Sequence, residues 1–163
     1  MKRGDWVSKI CCFTGHREIK KIKPSELADR LNKIIVELVE NEGVTDFRAG
    51  GAKGFDTIAA MHVLKFKQKY PHIKLHLILP YKAQAAGFTH FEKQLYDFVL
   101  QNADTVHYTS EKYYDGVLFA RNRELVDGAD VCVALLEVLS GGTYQTVNLA
   151  RKEKIKVINL VRV

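Results

Sequence analysis

Three short stretches of small residues follow runs of β-branched and apolar residues: Thr14-Gly15-His16-Arg17, Gly50-Gly51-Ala52-Lys53-Gly54 and Ser140-Gly141-Gly142-Thr143. Glycine in such turns permits positive φ and lets the backbone approach a ligand closely. A helix starting just beyond the turn offers free N–H groups and the positive end of its dipole, which suit an anion such as phosphate. Arg17 and Lys53 would add charge-assisted contacts. One such turn is weak evidence, because any tight strand-to-helix connection favours glycine. Three at equivalent ends of one sheet lie along a common edge. All three are therefore read as ligand-binding, with Gly51, Gly54, Gly142 and Thr143 on phosphate.

Asp56 stands two residues after Gly54, in the first turn of a helix. It either complements the helix dipole or accepts a ribose hydroxyl. A carboxylate repels phosphate, so it should face the sugar. It is also the one weak candidate for catalysis. Arg121-Asn122 sits inside a helix, where local pattern alone reads as a solvated face. His16 is either a general acid–base or a hydrogen-bonded loop residue. His62, His72, His76, His90 and His107 have no metal-like spacing, and no metal site is expected. Tyr81, Tyr113, Tyr114 and Tyr144 either stack on a base or pack. The sequence has no G-x-x-x-x-G-K-[ST], no G-x-G-x-x-G after the first strand and no G-x-S-x-G. Walker-type, ordinary NAD-type and α/β-hydrolase sites are thereby disfavoured.

The elements that must hold these residues alternate along the chain. Strands are expected at Ser8–Phe13, Val44–Arg48, Ile73–Leu79, Thr105–Tyr108, Asp130–Leu136 and Ile155–Val161. Helices are expected after Pro24, over Phe55–Lys69, Phe91–Gln101 and Gly116–Asp127, and after Ser140-Gly141-Gly142-Thr143 to about Lys154. In the first helix Leu27, Leu31, Ile34, Ile35, Leu38 and Val39 form one face. Val131-Cys132-Val133-Ala134-Leu135-Leu136 is apolar throughout, as in a parallel strand buried on both sides. Alternating strands and helices predict a single α/β domain over residues 1–163: a Rossmann-like three-layer sandwich with a mostly parallel sheet of about six strands. Ligands in such sheets bind beyond the carboxyl ends of the strands at the topological switch point. Tyr81 to His90, the stretch with no assignable element, is read as a mobile loop over the site.

Length and composition agree. The 163 residues are 47% hydrophobic and 27% charged, which excludes disorder, collagen and a disulfide scaffold. No apolar run reaches the ~18 residues of a membrane span. The start, MKRGDWVSK, lacks a sustained apolar segment, so no signal peptide is expected. Cys11, Cys12 and Cys132 have no zinc or redox spacing and are read as core residues in a reducing cytoplasm. The net charge is +6, but residues 1–30 and 151–163 each carry +4 and the remainder −2. The basic excess thus lies at the two chain ends, and forms one patch only if those ends meet.

The ordered set Cys12-Phe13-Thr14-Gly15-His16-Arg17, Gly50-Gly51-Ala52-Lys53-Gly54-Phe55-Asp56, Pro80-Tyr81, Arg121-Asn122 with Asp127, and Gly141-Gly142-Thr143 spans nearly the whole chain. It resembles the YpsA-like family of the SLOG superfamily, which also holds the DNA processing protein A Rossmann domain and the Lonely Guy phosphoribohydrolases. The resemblance implies a cytoplasmic, often homo-oligomeric protein whose pocket takes a nucleotide or a nucleotide-derived ligand such as ADP-ribose or an NAD-like molecule. It also implies links to bacterial growth and cell division. It brings Arg121 and Asn122 into the candidate site. The Lonely Guy motif P-G-G-x-G-T-x-x-E is altered here, with Ser140 for Pro, Tyr144 for the third Gly and Asn148 for the catalytic Glu. A neutral amide cannot activate water as a carboxylate does. Binding is therefore expected ahead of N-glycosidic hydrolysis, with single-stranded DNA binding a further alternative.

Overall fold

The computed structural model describes residues 8–163. The reading of the first seven residues as free of a signal peptide lies outside them. Six strands and five α-helices alternate: β1 (Lys9–Gly15), α1 (Pro24–Glu40), β2 (Val44–Ala49), α2 (Phe55–Phe66), β3 (Lys74–Tyr81), α3 (His90–Asn102), β4 (Thr105–Ser110), α4 (Val117–Val126), β5 (Val131–Leu135), α5 (Gly141–Lys152) and β6 (Lys156–Asn159). The strand order is β4-β3-β2-β1-β5-β6, and every neighbouring pair is parallel. The sheet is an all-parallel, Rossmann-like α/β sheet.

The side-chain pattern explains the layers. Along β1 and β5 successive residues point to opposite faces. Cys11, Phe13, Val131, Val133 and Leu135 enter the core shared with α1, α2 and α3. Cys12 and Cys132, paired in register, enter the core beneath α4 and α5. All three cysteines are free and fully buried. Burial pushes the Cys11 thiol up; contact with Cys132 and burial do the same for Cys12. The α1 stripe Leu27, Leu31, Ile35 and Leu38 is buried as its spacing demands. Phe13 stacks on Phe47 at 5.8 Å and meets Phe55 edge-on at 6.2 Å. No helix among the described residues is long and apolar enough to cross a membrane.

From β1 the chain steps outward through β2, β3 and β4, then returns to place β5 on the other side of β1. The connections therefore diverge between β1 and β5, leaving a crevice beyond their carboxyl ends.

The segment Tyr81–His90 differs from its expectation. Tyr81 belongs to β3, and Gln84–Gly87 form a 3-10 turn that buries Ala85. Gln84 donates to the Gly50 carbonyl. The segment buttresses the β2–α2 turn and supplies no wall to the cavity described next.

Candidate functional site

A cavity of about 500 Å³ occupies the crevice. Its lining includes Thr14, Gly15, His16 and Arg17 after β1, Asp56 at the start of α2, Arg121 and Asn122 of α4, and Gly142 and Thr143 at the start of α5. Nine of the residues singled out in the sequence thus converge. Gly50, Gly51, Lys53, Gly54 and Gly141 do not line it. Nor do Tyr81, Tyr113, Tyr114 or Tyr144.

The glycines outside the wall have packing duties. A Cβ on Gly50 would stand 2.6 Å from Arg121 Nη1 and 2.9 Å from Asp56 Oδ2, so this glycine makes room for both side chains. Gly54 is the N-cap of α2 with φ of 83°, and a Cβ there would lie 2.2 Å from the Arg17 carbonyl oxygen. That close approach lets Phe55 N–H donate to the His16 carbonyl at 3.2 Å. Gly54→Ala combines positive φ with a backbone clash, and should destabilise the protein by roughly 2–4 kcal/mol in urea denaturation. Lys53 turns toward Glu92, 3.8 Å away at the start of α3.

Asp56 and Arg121 form the buried floor, at 6% and 7% exposure. Arg121 Nη1 donates to the carbonyl of Gly50, and its Nε donates to Asn122 Oδ1 at 2.9 Å. Asp56 Oδ2 accepts from Ala52 N–H at 3.2 Å. Burial pushes the Asp56 carboxyl up to about 6, against the pull of Arg121, the Ala52 amide and Arg17. Burial likewise holds Arg121 below its ordinary value, against Asp56. The floor therefore offers a carboxyl close to its ionisation point beside a fixed guanidinium.

Glu137 escaped the sequence reading. It follows β5 and is 3% exposed. Its carboxylate accepts the backbone N–H groups of Lys20 at 2.9 Å, Lys21 at 2.6 Å and Ile22 at 3.3 Å. Burial alone would raise its pKa, but these three amides hold it below the usual carboxylate range. Its own N–H donates to His16 Nε2 at 2.9 Å, so that nitrogen carries the lone pair and the ring proton sits on Nδ1. His16 is thus a loop clamp in this structure. Glu137 and His16 together fasten the loop after β1 to the loop after β5, and these are the two walls of the crevice. A lone carboxylate closing an otherwise apolar strand was the signal that would have found it. Glu137→Ala should accelerate amide exchange at residues 20–22 and cost about 2–3 kcal/mol of stability, because buried donors lose their acceptor.

The two helix starts facing the cavity differ. At α2 the Asp56 carboxylate already occupies the N-terminus. Neither N-cap, Gly54 of α2 nor Ser140 of α5, makes a side-chain cap, so the difference is one of charge: the first turn of α5 holds no acidic residue. Gly142 and Thr143 of that turn line the cavity, and Thr146 Oγ1 turns back to the Gly142 carbonyl. Arg17 and Lys20 stand on the same wall system, and Arg17 takes part in no ion pair among the described residues. Leu118, Leu125 and Val138 supply an apolar side. Asn148 is exposed on α5 and outside the lining, and Asp127 lies at the far end of α4. Among the described residues no group of three or more His, Cys, Asp or Glu is placed to hold a metal.

The chain is 29% identical over 139 residues to the uncharacterized SPbeta prophage-derived protein YoqJ of Bacillus subtilis, covering 78% of this chain and 81% of that one. It is 32% identical over 124 residues to the UPF0398 protein BH1768 of Halalkalibacterium halodurans, covering 75% and 62% respectively. Its fold superposes on DNA processing protein A of Streptococcus pneumoniae with a TM-score of 0.65 at 20% identity. That match covers 92% of this chain but 49% of the Streptococcus protein, so the likeness concerns the fold alone. The model of the YspA SLOG family matches residues 11–159, almost the full span of the sheet from β1 to β6. On that match the chain belongs to the YspA SLOG family.

Proposed function

We propose that this protein binds and senses a nucleotide or nucleotide-derived ligand, of the ADP-ribose or NAD-like kind, in the cavity between β1 and β5. The asymmetry of the two helix starts carries the reading. Phosphate goes to the start of α5, free of acidic residues, at Gly142 and Thr143, with Arg17 and Lys20 beside it. Asp56 would repel phosphate and accept a sugar hydroxyl instead. The base lies against Leu118, Leu125 and Val138. Thr14, Gly15, His16, Arg121 and Asn122 complete the wall, while Gly50, Gly51 and Gly54 shape it from behind. A cavity of this volume is in the range that encloses one small ligand. A regulatory role in the cytoplasm of a growing bacterial cell belongs to the same proposal. So does a homo-oligomer, for which the exposed Phe119 and Leu139, adjoining the lining residues Leu118 and Val138, offer apolar surface.

Titration calorimetry with AMP, ADP-ribose and NAD tests the reading. A micromolar dissociation constant for at least one of them is expected. No heat from any of them up to millimolar concentration would reject it.

One observation favours a second reading, hydrolysis of an N-glycosidic bond. A buried carboxyl that ionises near pH 6 suits general acid–base work. It lacks a free carboxylate partner: Asn148 holds the position of the Lonely Guy glutamate and is outside the cavity, and Glu137 on the cavity wall is taken up by three backbone amides. Chromatography of AMP and NAD incubated with the protein should show no free base. Base release that disappears in Asp56→Asn would turn the assignment toward an enzyme.

A further inference from the structure

A groove of about 560 Å³ opens beside the cavity on the same edge of the sheet. Lys21 lines both. The groove runs between the start of α1 and the chain that follows β6. Three of its lining side chains are cationic: Lys21, Arg30 and Arg162. Its one carboxylate, Glu26, is engaged by Arg30. Arg30 also donates to the Leu160 carbonyl and so joins the two segments. The basic excess, split in sequence between residues 1–30 and 151–163, therefore meets in part at this groove. Lys21, whose ammonium donates to the Glu137 carbonyl at 3.0 Å, stands at the junction between Arg17 and Lys20 on the cavity side, where Glu18 and Glu137 also line the wall, and Arg30 and Arg162 in the groove.

Resting on the nucleotide reading of the cavity, we propose that the groove is a second phosphate subsite. The ligand is then a linear phosphodiester of two or more nucleotides, with one phosphate at the start of α5 and the next along the groove. With the first nucleotide seated in the cavity and its phosphate at α5, a second unit extends through the junction at Lys21, which lines both cavity and groove. A duplex cannot be held this way, because a stacked and paired base enters a pocket only when extruded. A free dinucleotide and the end of a single strand share the required chemistry.

Affinities for AMP, the 5′-phosphorylated dinucleotide pApA and a 5′-phosphorylated oligo(A) hexanucleotide decide the matter. For the unmodified protein, pApA should bind at least tenfold more tightly than AMP. Its log affinity should also fall more steeply with log salt, by about 0.7 for one added phosphate contact. Arg162 is exposed. Arg162→Glu should remove the pApA advantage and its extra salt slope while leaving AMP affinity within twofold. A hexanucleotide equal to pApA identifies a dinucleotide ligand, and a tighter one identifies a strand. Equal binding of AMP and pApA overturns the second subsite and leaves the cavity reading intact. An advantage that survives Arg162→Glu with an unchanged salt slope overturns it too. Failure of all three probes to bind overturns the second subsite; the cavity reading falls with it only if ADP-ribose and NAD give no heat either.

Discussion

Gly142→Glu is expected to weaken nucleotide binding by about 100-fold or more while leaving the fold as stable as before. The position tolerates a side chain: a Cβ there meets nothing within 4 Å, and its φ is not in the positive region. A carboxylate in the first turn of α5 also suits the helix dipole, so stability should hold or rise by a few tenths of a kcal/mol. The same carboxylate fills the place proposed for phosphate and repels it. Losing charge-assisted contacts there corresponds to roughly 3 kcal/mol of binding energy, about two decades in Kd. Neighbouring Gly141 is a poorer choice, since its φ of 84° confounds binding with strain. Calorimetry and thermal unfolding on one sample separate the two effects. Full affinity in Gly142→Glu would remove α5 from the phosphate site.

Asp56→Asn should also weaken binding, but it should raise stability substantially at neutral pH. The folded protein raises this carboxyl to about 6 from an ordinary value of 3.8. A raised folded pKa means the native state holds a proton that the unfolded chain releases. The associated stability is present below about pH 4 and is lost as pH rises through 6. Two units correspond to roughly 3 kcal/mol. Asparagine retains the shape, has no charge to bury and keeps an oxygen for the Ala52 amide. The variant should therefore match the native protein near pH 4 and exceed it by roughly 2–3 kcal/mol at pH 7.5. It should also bind ligand more weakly, because the sugar loses its anionic acceptor. Urea denaturation at the two pH values measures the first effect. A difference between the proteins that does not change with pH would show that Asp56 is not held near-neutral by its burial.

A buried carboxyl raised to about 6 by its surroundings is consistent with the binding role proposed for Asp56. Little of this was visible along the sequence. The strands and helices were, because burial imposes a period on each: the Leu27–Leu38 stripe of α1 and the unbroken apolar run of β5 admit few other readings. The convergence of Thr14–Arg17, Asp56 and Gly142-Thr143 was also legible, since parallel topology brings strand ends to one edge. The purposes of the individual glycines were not. Gly50 accommodates Arg121 and Asp56, and Gly54 accommodates the backbone of Arg17; both partners are distant in sequence or hidden in a loop. Local pattern around Arg121 reads as a solvated mid-helix face; the family resemblance put it in the candidate site, and the strand order, which turns α4 over the crevice, is the physical reason. Tyr81–His90 looked like a cover for the site, yet its contacts run to the Gly50 carbonyl behind it.

The claim that the ligand sits at the start of α5, across from Asp56, is tested most directly by where a ligand is felt. In amide-resolved NMR of the labelled protein titrated with ADP-ribose, the largest shifts should fall on Gly142 and Thr143. Smaller ones are expected at Thr14–Arg17, with a change in the Asp56 side-chain carboxyl signal. Saturable shifts that leave Gly142, Thr143 and Asp56 unmoved and gather elsewhere, for example around Lys53 and α3, would contradict the account.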